Sequence, residues 1–194
     1  MILDAGDVLI ADAMPGVFAD MAADAGAIDA TQSLIEKHIS VSRQLWGGEM
    51  SETAYWEHLA QALGTREDGH WRGLLATRLR PLVHPRVLRQ WAECVDLVLL
   101  SNHRTEWLIP AMSGAGYLEH FTQLVISDSV GFVKPDREIF ELVNPPKGRA
   151  LFVDDREFNL TVGRSLGWRT VAGAPDGRWV GKVSALLGVQ GLVP

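Results

Sequence analysis

Leu151-Phe152-Val153-Asp154-Asp155 is a short apolar run that ends abruptly in two carboxylates. A run of this length reads as a buried strand, and the polar residues at its end then line one rim of a sheet. The same pattern occurs twice earlier, in Ile2-Leu3-Asp4 near the start and in Val98-Leu99-Leu100-Ser101-Asn102 in the middle. With Lys134 in Val133-Lys134-Pro135-Asp136, such a rim gathers three carboxylates, a hydroxyl and an ammonium group. That set suits magnesium and phosphate, so catalysis is the leading expectation.

Around these runs the pattern alternates. Helices are expected at 85–93, 106–115, 136–143, 157–166 and 178–187, and strands at 95–100, 124–127, 150–153 and 170–172. Alternation of this kind argues for an α/β fold, a parallel sheet covered by helices on both faces. From residue 14 to about 85 no convincing strand pattern occurs, and the segment reads as helical, with helices at 14–25, 32–45 and 52–63. Pro15 suits an early helical position. Ser51 followed by Glu52 marks a helix start, Gly64 a stop, and Trp56, Leu59, Ala60 and Leu63 fall on one face. Pro145-Pro146-Lys147-Gly148 reads as a connection.

The 194 residues are 47% hydrophobic, enough for one substantial core and too apolar for disorder. A net charge of -6 disfavours a nucleic-acid surface, which needs a dense field of lysine and arginine, but leaves room for a small anionic substrate met by local cations. The sequence has no apolar run long enough to cross a bilayer and no secretory pattern at Met1-Ile2-Leu3-Asp4, so a cytoplasmic protein without membrane partners is expected. Cys94 is the single cysteine and is expected to be a buried small apolar residue. A monomer or a homodimer is compatible with the composition.

Each site residue has a plainer reading when taken alone. Asp4 could cap the turn after its strand, Ser101 and Asn102 could cap a helix, and Lys134 could be a solvated lysine. Gly6 permits a positive φ or a close backbone approach in the loop after Asp4. Asp154 and Asp155 are adjacent like charges that need a cation or a helix terminus, and Asn159 would lie one turn up the next helix, placed to orient them.

Taken in order, Asp4-Ala5-Gly6-Asp7-Val8-Leu9, Leu100-Ser101-Asn102, Val133-Lys134-Pro135-Asp136 with Ile139-Phe140, and Val153-Asp154-Asp155 with Asn159 and Gly167 resemble the motifs of the haloacid dehalogenase superfamily. Most of its members are magnesium-dependent phosphatases with a Rossmann-like core. The resemblance covers nearly the whole chain: residues 1–14 and 83–194 would form the core, and 15–82 a small helical cap inserted after the first strand. Trp46-Gly47-Gly48-Glu49-Met50-Ser51 with Tyr55-Trp56 is similar to the cap of sugar-phosphate phosphatases and of the amino-terminal domain of soluble epoxide hydrolases.

The resemblance implies that Asp4 is the nucleophile and that Mg2+ is held by Asp4, the Gly6 carbonyl and Asp155, with Asp154 a direct or indirect partner. It further implies that Ser101, Asn102 and Lys134 hold the phosphate, that Asn159 and Asp7 are supporting residues, and that the substrate is a small phosphorylated metabolite such as a sugar or acyl phosphate. A dehalogenase, and a phosphate-ligand-binding protein without turnover, are the alternatives. Gly6 is the departure. Many relatives carry there an aspartate that protonates the leaving oxygen, assistance worth about 10²–10⁴-fold in rate. Asp7, Asp12 and His103 are the residues that could replace it. Whether Trp46, Tyr55, Trp56, His70 and Trp71 are core or pocket is open at this point.

Overall fold

The computed structural model describes residues 1–66, 69–143, 145 and 150–189. Strands β1 (Ile2–Leu3), β2 (Leu97–Ser101), β3 (Phe121–Ile126), β4 (Leu151–Asp154) and β5 (Arg169–Ala172) form one parallel sheet in the order β3-β2-β1-β4-β5. β1 has only two residues, yet it lies at the centre, with Leu3 paired to Leu99 on one side and to Val153 on the other. A strand so short is held by ladders on both edges and by complete burial of Ile2 and Leu3.

Because side chains alternate across a strand, Leu3, Leu99 and Val153 point into one core, and Ile2, Leu100 and Phe152 into the other. Helices α5 (Pro85–Ala92), α6 (Thr105–Gly114) and α10 (Arg178–Leu186) supply Leu88, Leu108 and Val180 to the first core. Helices α8 (Arg137–Glu141) and α9 (Glu157–Ser165) supply Phe140 and Leu160 to the second. The expected α/β sheet with helices on both faces is therefore what forms.

Four helices, α1 (Met14–Asp24), α2 (Thr31–Trp46), α3 (Glu52–Ala62) and α4 (His70–Arg78), lie between β1 and α5. The two ends of this helical segment meet: the Ala11 N–H donates to Arg80 O and the Leu82 N–H to Leu9 O, both at 2.8 Å. At its far side, three polar links fasten the segment to the rest of the fold. The buried Arg104 donates to Met50 O at 2.6 Å and pairs with Glu106 at 2.8 Å. Arg43 pairs with Asp136 at 2.5 Å. Glu52 accepts from the indole N–H groups of both Trp56 and Trp107, at 3.2 and 2.7 Å. Gly48, at φ +78, lies so close to Asp128 O that a Cβ would come within 2.4 Å of it.

Several expectations need correction. Cys94 is exposed, because it falls in the turn after α5 and not on the helix face carrying Val87, Leu88 and Trp91. β2 begins at Leu97, two residues later than its apolar run. Ser127 does not end β3 but starts the short helix α7 (Ser127–Val130), where its hydroxyl accepts from the His103 N–H. Helix α4 had no clear periodic signal. Of the expected 145–148 connection, residues 146–148 lie outside the described residues.

Arg104→Met should lower stability to urea by about 2–3 kcal/mol, since it strips the charge-assisted donor from Met50 O and leaves that carbonyl buried. A loss below 0.5 kcal/mol, on the order of an ordinary surface substitution, would mean that the link contributes nothing.

Candidate functional site

The chain leaves β1 for β2 and β3 on one side and returns to β4 and β5 on the other. The sheet therefore has its switch point between β1 and β4, where a crevice opens beyond the strand ends. The Leu3↔Val153 register places Asp4 beside Asp154 there, and the Asp4 N–H donates to Val153 O at 2.9 Å. Asp4, Asp154 and Asp155 each bring one carboxylate oxygen within 4.8 Å of the others.

Lys134 joins them from the loop before α8. Its Nζ lies 2.9 Å from Asp4 Oδ1 and 2.6 Å from Asp154 Oδ2, with 1% of its side chain exposed. Burial pushes the ammonium group down, but the charges of Asp4 and Asp154 outweigh it and hold the value above the ordinary one, so Lys134 stays protonated. Burial, then Asp4, pushes Asp154 up, against the pull of Lys134 and Asn159. Asn102 positions this lysine through a reciprocal pair, its Nδ2 donating to Lys134 O at 2.8 Å and its Oδ1 accepting from the Lys134 N–H at 2.7 Å.

The two paired aspartates differ in what they can still do. Asp154 is fully buried: Oδ1 accepts from the Arg156 N–H and from Asn159 Nδ2, and Oδ2 accepts from Lys134. That leaves it at most one lone-pair site, so it serves as a brace more readily than as a ligand. Asn159 accordingly orients Asp154 alone and not the pair. Asp155 remains partly accessible beside Arg156, at 2.8 Å, and burial followed by the charge of Asp4 pushes its carboxyl up to about 6.

Asp4 accepts from the Ala5 N–H and from Lys134 through Oδ1; among the described residues Oδ2 has no partner. Asp4 Oδ2 and Asp155 are hard oxygen donors facing one crevice, and two carboxylates completed by water are what Mg2+ prefers. Three carboxylates with oxygens this close together, one of them Asp4 with a free Oδ2, are a donor set that a hard cation fits. Ser101 lies one residue beyond the Asp4 level on β2, 1% exposed, with a hydroxyl that has no partner among the described residues. Neither Ser101 nor Asp154 lines the cavity that Asp4, Gly6, Asn102, Lys134 and Asp155 border.

The positive φ that Gly6 would permit is found one residue later, at Asp7 (+51), whose carboxylate accepts from the Asp12 N–H at 3.0 Å and thereby shapes the loop. Gly6 has no positive φ, and a Cβ placed on it would meet nothing within 4 Å. A side chain there would project into free space beside Asp4.

The crevice widens into a cavity of about 480 Å³ whose far wall comes from α1 and α2. Phe18, His38 and Trp46 line it together with His103 and Trp107 of the sheet side. Of the aromatics left open by the sequence, only Trp46 reaches the cavity. Tyr55, Trp56 and Trp71 are core, and His70 is exposed beside Asp24. Phe18, His38 and Trp107 were not anticipated: single apolar or histidine residues on helices carry no signal that separates lining from packing.

No family profile matches the chain, and no curated protein matches it by sequence. Solved structures do. A HAD-family enzyme of Bacteroides thetaiotaomicron superposes with a TM-score of 0.78 at 19% identity, over 95% of this chain and 96% of that one. A predicted HAD-like family hydrolase of Porphyromonas gingivalis gives 0.76 at 22%, over 97% of each. The L-2-haloacid dehalogenase of Xanthobacter autotrophicus, with chloropropionic acid covalently bound, gives 0.64 at 19%, over 88% of this chain and 75% of that one. The Bacteroides enzyme has also been solved with magnesium and inorganic phosphate. The fold is thus that of the haloacid dehalogenase-like enzymes.

Lys134→Met should cost about 3–5 kcal/mol at neutral pH, because it leaves buried carboxylates without their cation. Urea unfolding should show the deficit relative to wild type shrinking as pH falls and those carboxylates take up protons. A separate pH dependence comes from His38, which burial lowers to about 4. The unfolded chain binds that proton more readily, so its contribution to stability is present above pH 6.5 and is lost as pH falls towards 4. His38→Asn should flatten the stability profile in that window; an unchanged slope would exclude His38 as its source.

Proposed function

We propose that the protein is a Mg2+-dependent phosphatase of a small phosphorylated metabolite, working through a phosphoryl group carried on Asp4. The observation that carries this reading is the convergence at the switch point: Asp4 with one oxygen held and one free, Lys134 bridging it to the braced Asp154, and Asp155 open beside them.

Asp4 Oδ2 attacks phosphorus in line as the bond to the leaving oxygen breaks, and water then attacks the same phosphorus to release phosphate and restore the carboxylate. Lys134, kept protonated by its carboxylate neighbours, offsets charge on the transferring group, and Ser101 supplies a hydroxyl once its side chain turns to the phosphate. Mg2+, held by Asp4, Asp155 and the Gly6 carbonyl with Asp154 behind them, would neutralise phosphoryl charge. The segment 15–82 acts as a cap on a core of 1–14 and 83–194 and encloses the leaving group. The proposed enzyme is cytoplasmic, monomeric or homodimeric, and acts without nucleic acid or membrane; no described helix is long and apolar enough to cross a membrane.

Gly6 favours a second reading, a phosphate-ligand-binding protein without turnover, since no acid stands at that position. Dehalogenation by the same aspartate at carbon, without metal, is the enzymatic rival.

Hydrolysis of an aryl phosphate should require Mg2+ and fall at least about 10³-fold in Asp4→Asn. Tight ester binding with no turnover would establish the second reading, and halide release without metal the rival. Because the space beside Gly6 is empty, Gly6→Asp should fold normally and raise kcat about tenfold or more on esters with poor leaving groups. No gain on any ester would show that the missing acid is not what limits the enzyme.

A further inference from the structure

Two independent features of the cavity constrain the group that leaves phosphate. The first is the wall beyond the carboxylates. Phe18, Ile35, Trp46 and Trp107 form it, and the exposed side chains of Ile39 and Phe158 stand at its mouth, one on α2 and one on α9. Trp46 and Trp107 meet edge to face at 5.9 Å, and Trp46 lies 5.8 Å from the rings of His38 and His103. A polyol placed here would lose water from several hydroxyls and regain few partners, a cost that an apolar group does not carry. The second feature is Gly6: its Cβ space is empty, and no side chain at that position delivers a proton to the departing oxygen.

An alkyl alcohol would satisfy the wall but departs poorly without an acid. A short acyl group such as acetyl departs easily but leaves the wall unused. A phenol or an enol of similar shape meets both conditions, because its oxygen departs as a stabilised anion and its ring is flat and apolar.

Resting on the phosphatase reading, we propose that the substrate is the phosphate ester of an uncharged aromatic hydroxyl, its ring held between Phe18, Trp46 and Trp107.

The reaction balances without a protein acid: the phosphorus–oxygen bond to the ring breaks, the aryl oxide leaves with the bonding pair and takes its proton from solvent, and Asp4 Oδ2 takes its place on phosphorus. The two wall histidines agree with an uncharged ring. His38 Nδ1 is paired with Tyr55 Oη at 2.8 Å, and His103 Nδ1 accepts from the Arg104 N–H at 2.9 Å. Burial lowers both histidines, so neither offers a cation to a second anionic group. The remaining cation at the mouth, Arg156, is engaged with Asp155.

The test compares kcat/KM, with Mg2+, for naphthyl phosphate, butyl phosphate, acetyl phosphate and glucose 6-phosphate. The aryl ester should exceed the butyl and sugar esters by about 100-fold. It should have a lower KM than acetyl phosphate. Trp46→Ala and the surface variant Ile39→Asn should each cut the naphthyl-to-acetyl ratio about tenfold. Calorimetry should show phenylphosphonate binding more tightly than methylphosphonate in wild type and not in Trp46→Ala. A sugar or butyl ester turned over as well as the aryl ester, or an unchanged ratio in both variants, overturns this substrate class and leaves the phosphatase intact. No turnover of any ester, acetyl phosphate included, overturns both.

Discussion

The Lys134 ammonium group between Asp4 and Asp154 is the contact on which the site depends. Three carboxylates gathered at buried strand ends repel one another, and a single buried cation makes that gathering tolerable. Its cost is met by neighbours: Asn102 fixes the backbone of Lys134 from both sides, while Asn159 and the Arg156 N–H complete Asp154. One aspartate is thereby spent on structure, which leaves Asp4 Oδ2 and Asp155 free for chemistry.

That arrangement needs the sheet to present its strands in one register. β1 contributes only Ile2 and Leu3, so its position comes from β2 and β4, which pair with it on both edges and are themselves anchored by longer ladders to β3 and β5. Asp4, the nucleophile of the proposed reaction, thus directly follows the shortest strand and is aligned by that strand's neighbours. The two ends of the helical segment run together near Ile10 and Pro81, and its far side is fastened through Arg43, Arg104 and Glu52. Those links hold the aromatic wall over the carboxylates, so the wall and the rim form one cavity.

Gly6 connects the two halves of that cavity. Where a carboxylic acid would otherwise stand, the chain leaves open space, and the wall facing it is apolar. In the proposed reaction, the lack of an acid at position 6 and the apolar face of Phe18, Ile35, Trp46 and Trp107 agree with one another. The demand for an acid falls as the leaving group becomes a better one.

The sequence by itself determined the alternation of strands and helices and the residues that end the strands, because period, length and polar punctuation are local properties of the chain. Asp4, Ser101, Asp154 and Asp155 were legible for the same reason, each being a polar residue where an apolar run stops, while Lys134 was picked out by its place between those clusters, before Pro135. What depends on neighbours distant in the chain was not legible. The residue pattern alone could not rank Asp154 against Asp155; the resemblance put Asp155 first, and the packing of Lys134, Asn159 and the Arg156 N–H supplies the physical reason, filling the oxygens of one and sparing the other. It placed Cys94 inside when the end of α5 turns it out, and it did not single out Asp7, where the loop puts its positive φ. Nor could it tell lining from core among the aromatics. Trp46 and Trp56 carry the same side chain on similar helices, and only the docking of α2 and α3 against α6 turns the first to the cavity and buries the second.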